Sequence, residues 1–403
     1  MKTGKREYRF NKGKEWPRHS SGAVTDKDMI FNKRQRQTQN ILWIFPTMLA
    51  LGAGLPVTVT AEEAYPALDP PYYNSGIVPD QSAVEEKLSS KAATTEWTYH
   101  KTADGSHPSG HEQQALWLMN RARFNPTQEG IWLASSTDPE VAGERDYFGV
   151  NKTTLRSEFA SYAAKGPAAF DNRLYAAAYA HSVDLIARDA QDHTNQFARV
   201  DSAGFHYTQA RGSVFSFASS GINAHAAWNI DWGYGADGMQ DGRGHRMATM
   251  SVDGDYTNVG IAAIHETNSA TDVGEYVTTG NYCQANTGYS NHYNMFIVGT
   301  VWTDVNGNDQ YDPGEGKANV TVRPSQGTYY AITGSAGGYA IPVGNGTYSV
   351  TFSGGGLTDT YTKSVTVSGK SALLDVDTSS DNPSDNGSGE EGVVLPPTLL
   401  LLL

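Results

Sequence analysis

The sequence predicts an α+β domain followed by a small all-β sandwich, and three observations carry that expectation. Apolar residues recur at helical spacing over 115–122 and again over 174–186. Two β-branched and aromatic runs, Tyr256–His265 and Gly274–Tyr282, read as strands. From Phe296 onward short alternating runs separated by Gly and Asn replace any helical period. The 403 residues allow two domains plus tails, and 38% hydrophobic content is too low for a polytopic membrane protein.

The N-terminal segment is set apart by charge. Residues 1–36 hold 11 basic and 4 acidic residues, which leaves 19 basic and 39 acidic in the rest. So acidic a body repels a phosphate backbone, and nucleic acid is excluded as a partner. Ile41–Ala61 is uncharged, follows Lys33-Arg34-Gln35-Arg36, and ends on the small residues Val59-Thr60-Ala61. That layout predicts a signal peptide or anchor over 1–61, hence an extracellular or cell-surface protein touching membrane only through its terminal segments. Residues 62–108, Pro-rich near Pro66–Pro71 and without a period, read as a linker. Cys283 is the one cysteine, so no intrachain disulfide and no Cys-based zinc cluster can form.

The first domain is expected over 109–290. A helix from His111 carries Ala115, Leu116, Leu118, Met119 and Ala122 on one face and stops at Asn125-Pro126. A second, about Arg173 to Ala190, turns Leu174, Ala177, Ala178, His181, Leu185 and Ile186 inward. Helices beside a small antiparallel sheet make an α+β layer structure.

Four motifs in this stretch carry a resemblance. Asn120-Arg121-Ala122-Arg123-Phe124-Asn125-Pro126, then Leu174–Ser182 with His193-Thr194, then Gly242-Arg243-Gly244-His245-Arg246, then Asn258-Val259-Gly260-Ile261-Ala262 stand in order over about 180 residues. Together they resemble the CAP superfamily of SCP-like extracellular domains. The resemblance implies an α-β-α sandwich with a shallow cavity lined by two histidines and two acidic residues. The histidines fall on His193 and His245. One acid falls on Asp231 of Trp228-Asn229-Ile230-Asp231, where the family carries Glu. The other, a Glu in a Gly-Glu-Asn turn, aligns with Arg211-Gly212-Ser213-Val214 and is missing.

Two imidazoles and a carboxylate suffice for an open site holding zinc or another divalent metal. The same trio could run acid–base chemistry, or form a hydrogen-bonded structural cluster. His181 reads as a core residue, and His206, His225, His265 and His292 fit no ligand spacing. Ser213, Ser216, Ser219 and Ser220 lack a Gly-x-Ser-x-Gly elbow, and Cys283 reads as a buried hydrophobe rather than a nucleophile.

The all-β domain is expected over 295–377, with strands at 296–302, 320–322, 329–332, 339–341, 348–352 and 364–367. It resembles B-type repeats of bacterial surface adhesins and carboxypeptidase-regulatory-like modules, which are small Ig-like or prealbumin-like sandwiches serving as stalks or accessory units. Between its first two strands lies Asp304-Val305-Asn306-Gly307-Asn308-Asp309-Gln310-Tyr311-Asp312-Pro313-Gly314-Glu315. Counting Asp304 as position 1, Asp304, Asn306, Asn308, Asp312 and Glu315 supply side-chain oxygens at 1, 3, 5, 9 and 12, and Gln310 a carbonyl at 7. Calcium takes ~6–8 hard oxygens, and this spacing wraps them round one ion. Residues 378–403 read as an acidic linker and an apolar tail.

The sequence favours a secreted or surface-displayed, non-catalytic protein that binds a small apolar ligand or an extracellular protein, with a calcium-stabilised accessory module. The alternatives are a protease-like metal-dependent hydrolase using His193 and His245, and a structural envelope protein.

Overall fold

The computed structural model describes residues 72–73, 92–381 and 383. The predicted N-region and signal or anchor over 1–61, and the apolar tail, lie outside the described residues.

Helix α1 (Gly110–Phe124) starts at a capping box, in which the Ser109 N–H donates to Glu112 Oε2 at 2.6 Å. It stops at Asn125 as the sequence predicts, but the same Asn125-Pro126 pair launches α2 (Pro126–Ser135), with Pro at a first-turn position and the Asn125 side chain accepting from Gln128 N–H. Asp138 and Asn151 cap α3 (Pro139–Tyr147) and α4 (Lys152–Ala160) in the same way. There follow β3 (Ala169–Phe170), α5 (Asn172–Arg188), α6 (Gln196–Ser202), β4 (Tyr207–Ala218), α7 (Gly221–Ile230), α8 (Gly244–Thr249), β5 (Asn258–His265) and β6 (Tyr276–Ala285).

One sheet runs β1-β4-β6-β5-β3, where β1 is Tyr72–Tyr73. It is antiparallel except for the β3–β5 pair. Side chains alternate across it. On one face Tyr282 meets Trp228 of α7 edge-on at 6.4 Å. On the other, Asn281 donates to the Leu174 carbonyl of α5 and Ser182 of α5 bonds Thr279 at 2.8 Å. Helices therefore cover both faces. This part of the chain is mixed α+β, as expected.

The remaining strands are β7 (Phe296–Trp302), β8 (Val320–Pro324), β9 (Tyr329–Ile332), β10 (Gly338–Pro342), β11 (Gly346–Gly354), β12 (Tyr361–Val367), β13 (Ala372–Leu373) and β14 (Val376–Asp377). They form two sheets, β10-β7-β13 with β14 also on β7, and β12-β11-β8-β9-β2, where β2 is Thr95–Glu96. Ile297, Val301 and Ile341 of the first share one core with Val322, Val350 and Phe352 of the second.

Two features depart from the reading of 62–108 as a linker joined to separate domains. Residues 92–108 are built into the structure. Thr95 and Glu96 pair in parallel with Tyr329 and Tyr330, Trp97 is buried among Tyr99, Tyr293 and Tyr329, and the His100 ring bonds the Trp97 and Ile332 carbonyls. A polar, unperiodic composition hid one tryptophan packed among aromatic rings and one buried histidine. Second, α1 is buried at every position from Glu112 to Arg123. One side packs on the α+β sheet through Leu116 and Met119, and the other on the β-sandwich. Across that seam Trp117 meets Trp302 edge-on at 5.9 Å and Gln113 Nε2 donates to Thr300 Oγ1 at 2.8 Å.

Candidate functional site

The site is assembled from the residue that caps the end of α7 and the first turn of α8. Asp231 ends α7 in the left-handed region, φ +57°, a conformation that Asp tolerates better than most residues. That turn aims its carboxylate at α8. Oδ2 accepts the His245 backbone N–H at 3.0 Å and Oδ1 pairs with His245 Nδ1 at 2.8 Å. Asp231 is fully buried and His245 is 9% exposed. The carboxylate orients the ring, with Nδ1 toward Oδ1 and Nε2 directed away from it. Arg246 turns the other way and donates to the Asn229 and Ile230 carbonyls that end α7. The Gly-His-Arg motif thus splits into one residue for the site and one for the helix end.

His193 is elsewhere. Its Nδ1 bonds Gln196 Oε1 at 2.7 Å, and Gln196 in turn donates to Asn281 Oδ1 at 2.8 Å. Asn281 points to the α5 side of the sheet, whereas α7, with Asp231 at its end, packs on the Tyr282 side. The predicted zinc trio His193, Asp231 and His245 is therefore not brought together, because alternation along β6 sends their supports to opposite faces. Among the described residues no three His, Cys, Asp or Glu side chains form a group that could hold a metal ion as they stand. Ser213, at the position of the missing acid, is buried and lies on the Tyr282 side.

His225, which fits no ligand spacing in the sequence, is in a buried polar network. Its Nε2 bonds Glu129 Oε1 at 2.8 Å, while Arg121 holds Glu129 Oε2 with two N–H groups at 2.9 and 3.0 Å. Asn229 bonds His225 Nδ1 and Thr249 bonds Asn229. Burial pushes the Glu129 carboxyl up, but Arg121 and His225 outweigh it and hold it below its usual value. Burial holds His225 down, so the imidazole is neutral. The sequence clue was Arg121 within Asn-Arg-Ala-Arg, where helical spacing does not explain a charged residue on an inner face.

The turn after Asp231 closes through Gln240 N–H to the Asp231 carbonyl at 2.7 Å and is pinned to the cap of α4 by Asn151 N–H to Asp237 O at 2.8 Å. It brings Tyr234 edge-on to Phe148 at 5.3 Å, and Phe148 edge-on to Tyr147 at 5.1 Å. Tyr234 is 53% and Tyr147 41% exposed. Tyr207, Trp228 and Trp232, by contrast, are buried in the core.

The 304–315 loop joins β7 to β8. Asp304 Oδ1 accepts from Gly307 and Asn308 N–H, and its Oδ2 from Asp309 N–H. Glu315 accepts from Val305 and Asp312 N–H. Both Asn306 and Asn308 donate their amides to Asp312 Oδ2, at 2.7 and 2.8 Å. Asp304, Asp312 and Glu315 are hard oxygen donors of the kind calcium takes, but their carboxylates do not stand together as a group that could hold an ion. The amide oxygens are engaged as well, Asn306 Oδ1 accepting from Asn308 N–H at 3.0 Å and Asn308 Oδ1 from Gln310 N–H at 2.8 Å, so a half-turn of either amide would break a loop hydrogen bond.

Fold and site together define an α+β protein fused face to face with a two-sheet β module and carrying a carboxylate-held histidine beside an exposed aromatic turn. No family model matches the chain, and no curated protein matches it. A solved structure found to be similar is an extracellular protein containing an SCP domain from Bacillus anthracis str. Ames, at 16% identity and TM-score 0.22. The match covers 35% of this chain and 40% of that one, so less than half of the neighbour's length is spanned. Among the described residues no helix is long and apolar enough to cross a membrane.

Proposed function

We propose that the chain is an extracellular or surface-displayed binding protein with a CAP-like α-β-α module and a calcium-stabilised β-sandwich, and that it takes a small apolar ligand or an apolar patch of an extracellular protein. The observation that carries this reading is the Tyr147–Phe148–Tyr234 row of rings. It is exposed aromatic surface on a turn anchored at both ends, which presents contact area at little conformational cost. The four motifs, the helices on both faces of the sheet and the Asp231–His245 pair at the foot of that turn support the CAP-like reading. A non-catalytic role is supported by the separation of His193 from His245 and by Ser213 at the place of the second acid. One oriented imidazole by itself fixes no reaction.

Titrating the full chain with a fluorescent fatty acid or sterol tests the reading. Saturable binding weakened ~10-fold or more by Tyr234→Ala, the loss of about 1.4 kcal/mol, and unchanged by His193→Ala is expected. Binding indifferent to Tyr234 would place the ligand elsewhere, and no saturable binding removes the apolar small molecule as a ligand.

A further inference from the structure

The seam between α1 and the β-sandwich encloses a cavity of about 10 Å³ whose polar walls are not satisfied by protein groups alone. Gln113 and Trp117 reach it from α1, Thr300 from β7, and Asp375 from the turn between β13 and β14. Gln113 is 2% and Trp117 4% exposed. The Gln113 amide donates its nitrogen to Thr300 Oγ1 at 2.8 Å, which leaves Oε1 with no hydrogen-bond partner among the described residues. The Trp117 indole N–H is likewise without one. Asp375 commits Oδ1 to the Thr300 N–H at 2.7 Å. We propose that this cavity binds one water and one proton, and that the proton on Asp375 keeps α1 docked on the β-sandwich as a pH-sensitive joint.

Volume and walls together define the ligand. A water needs ~10–15 Å³ and about two to four polar partners. The cavity has that room, an acceptor in Gln113 Oε1, a donor in the Trp117 N–H and a carboxyl in Asp375. A water that donates to Gln113 and accepts from Trp117 satisfies two groups that are costly to bury unpaired. The Trp117 N–H favours the charged form of Asp375 without bonding it directly, which is the relation a bridging water completes.

The proton follows from what surrounds the carboxyl. An ionised Asp375 offers only acceptors to a cavity it shares with the acceptor Gln113 Oε1, whereas its protonated form supplies an O–H. Burial pushes the carboxyl up to about 7, against relief from Thr300, Lys363 and Trp117. The cavity residues of α1 and β7 add no charge. His100 lines the wall with its ring nitrogens on the Trp97 and Ile332 carbonyls, and burial holds it down to about 4, so it is neutral at higher pH. From β12, Lys363 Nζ donates to the Asp375 carbonyl at 3.1 Å and to Asp381 at 2.9 Å, so an acid already offsets its charge. From β10, Tyr339 donates to the Leu374 carbonyl, and burial raises its hydroxyl further. Asp375 is therefore the group at this wall that titrates near neutrality. A folded value above 3.8 favours the docked state at low pH, and that preference is lost as pH rises from about 4 to about 7. Parting of the seam around Trp117 and Trp302 returns the ionised carboxyl to water.

Hydrogen exchange of the full chain, corrected for the intrinsic pH dependence of exchange, tests the joint. The amides of Gln113 to Trp117 and of Thr300 are expected to lose ~10-fold protection between pH 5 and pH 8, while β6, central in its sheet, keeps its own. Asp375→Asn retains an acceptor for Thr300 and cannot ionise, so its α1 protection is expected to be equal at the two pH values. Constant α1 protection in the wild type overturns the joint, and this arm needs no variant. An equal loss in β6 means global destabilisation and overturns it as well. A loss that persists in Asp375→Asn assigns the titration to another group. The water is read separately, by oxygen-17 relaxation of the solvent: Gln113→Met is expected to hold one long-lived water fewer than the wild type. Equal counts overturn the hydrated site.

Discussion

At the scale of single residues, one acid strongly affected by burial lies at the seam between the two parts. Asp375, between β13 and β14, accepts the Thr300 N–H at 2.7 Å and lines a cavity of about 10 Å³ with Gln113, Trp117 and His100. Burial pushes its carboxyl up to about 7, against relief from the Thr300 bond and Lys363. A folded value above the unfolded 3.8 means that the native state holds the extra proton between roughly pH 4 and 7. Stability contributed by this group is therefore present at low pH and lost as pH rises through that window. Asp375→Asn keeps the acceptor for Thr300 and removes the charge. It should leave the melting temperature unchanged near pH 4 and raise it at pH 8 by roughly 4 °C, for about 2 kcal/mol after discounting partial exposure. Equal melting temperatures for the two proteins at pH 8 would refute this account. No sequence pattern pointed to Asp375, because its environment is built by α1, more than 250 residues away.

At the scale of elements, the sequence located those whose periodicity decides their packing. Helices α1 and α5, strands β5 and β6, and the six main strands of the sandwich stand within a few residues of their expected places. Helices α2 to α4 were not anticipated, since each is about ten residues long with short apolar stretches and is specified mainly by its Asn or Asp cap. Strand β4 and helix α7 went unread because Gly and Ser between 212 and 221 resemble loop chemistry. There, Gly212 gives room to the Gln196 side chain and Gly221 to the His111 carbonyl, so the glycines answer to neighbours that sequence cannot show. The family-like motif around Gly260 has the same explanation. A Cβ there would lie 2.1 Å from the backbone of Leu174 and Tyr175, so glycine is what lets α5 rest directly on β5. Backbone cannot swing aside as a side chain can. Gly260→Ala should cost about 3 kcal/mol, the upper end of overpacking effects, read as a lowered urea midpoint with an unchanged slope. A loss under ~0.5 kcal/mol, within the range of ordinary surface substitutions, would show that α5 shifts freely and that the contact is not a constraint.

At the scale of the whole molecule, composition located the change from α+β to all-β near residue 294 but gave no hint that the two parts share a helix. The reason lies in α1. Its seam-facing residues are Gln113, Gln114, Trp117 and Arg121, a set that reads as half-exposed polar surface until the partners Thr300, Asp312, Trp302 and Gln310 are in place. Similarly, the two histidines could be picked out by motif, whereas their assignment to opposite faces of the sheet depends on strand register. The described residues lie within one compact unit, and burial along all of α1 implies that neither part retains its native surface without the other. Cutting the chain to 109–290 strips the Trp117–Leu118 patch of its cover and leaves Gln113 and Gln114 without their acceptors across the seam. An apolar patch newly open to water on a marginally stable domain favours association over folding. The fragment should bind a hydrophobic dye and lack a cooperative melt, while 92–381 unfolds in one transition followed equally by tryptophan fluorescence and far-ultraviolet dichroism. Two separated transitions in 92–381, with the first matching a cooperative melt of isolated 109–290, would mean that the modules fold independently and that the seam is a contact between finished domains.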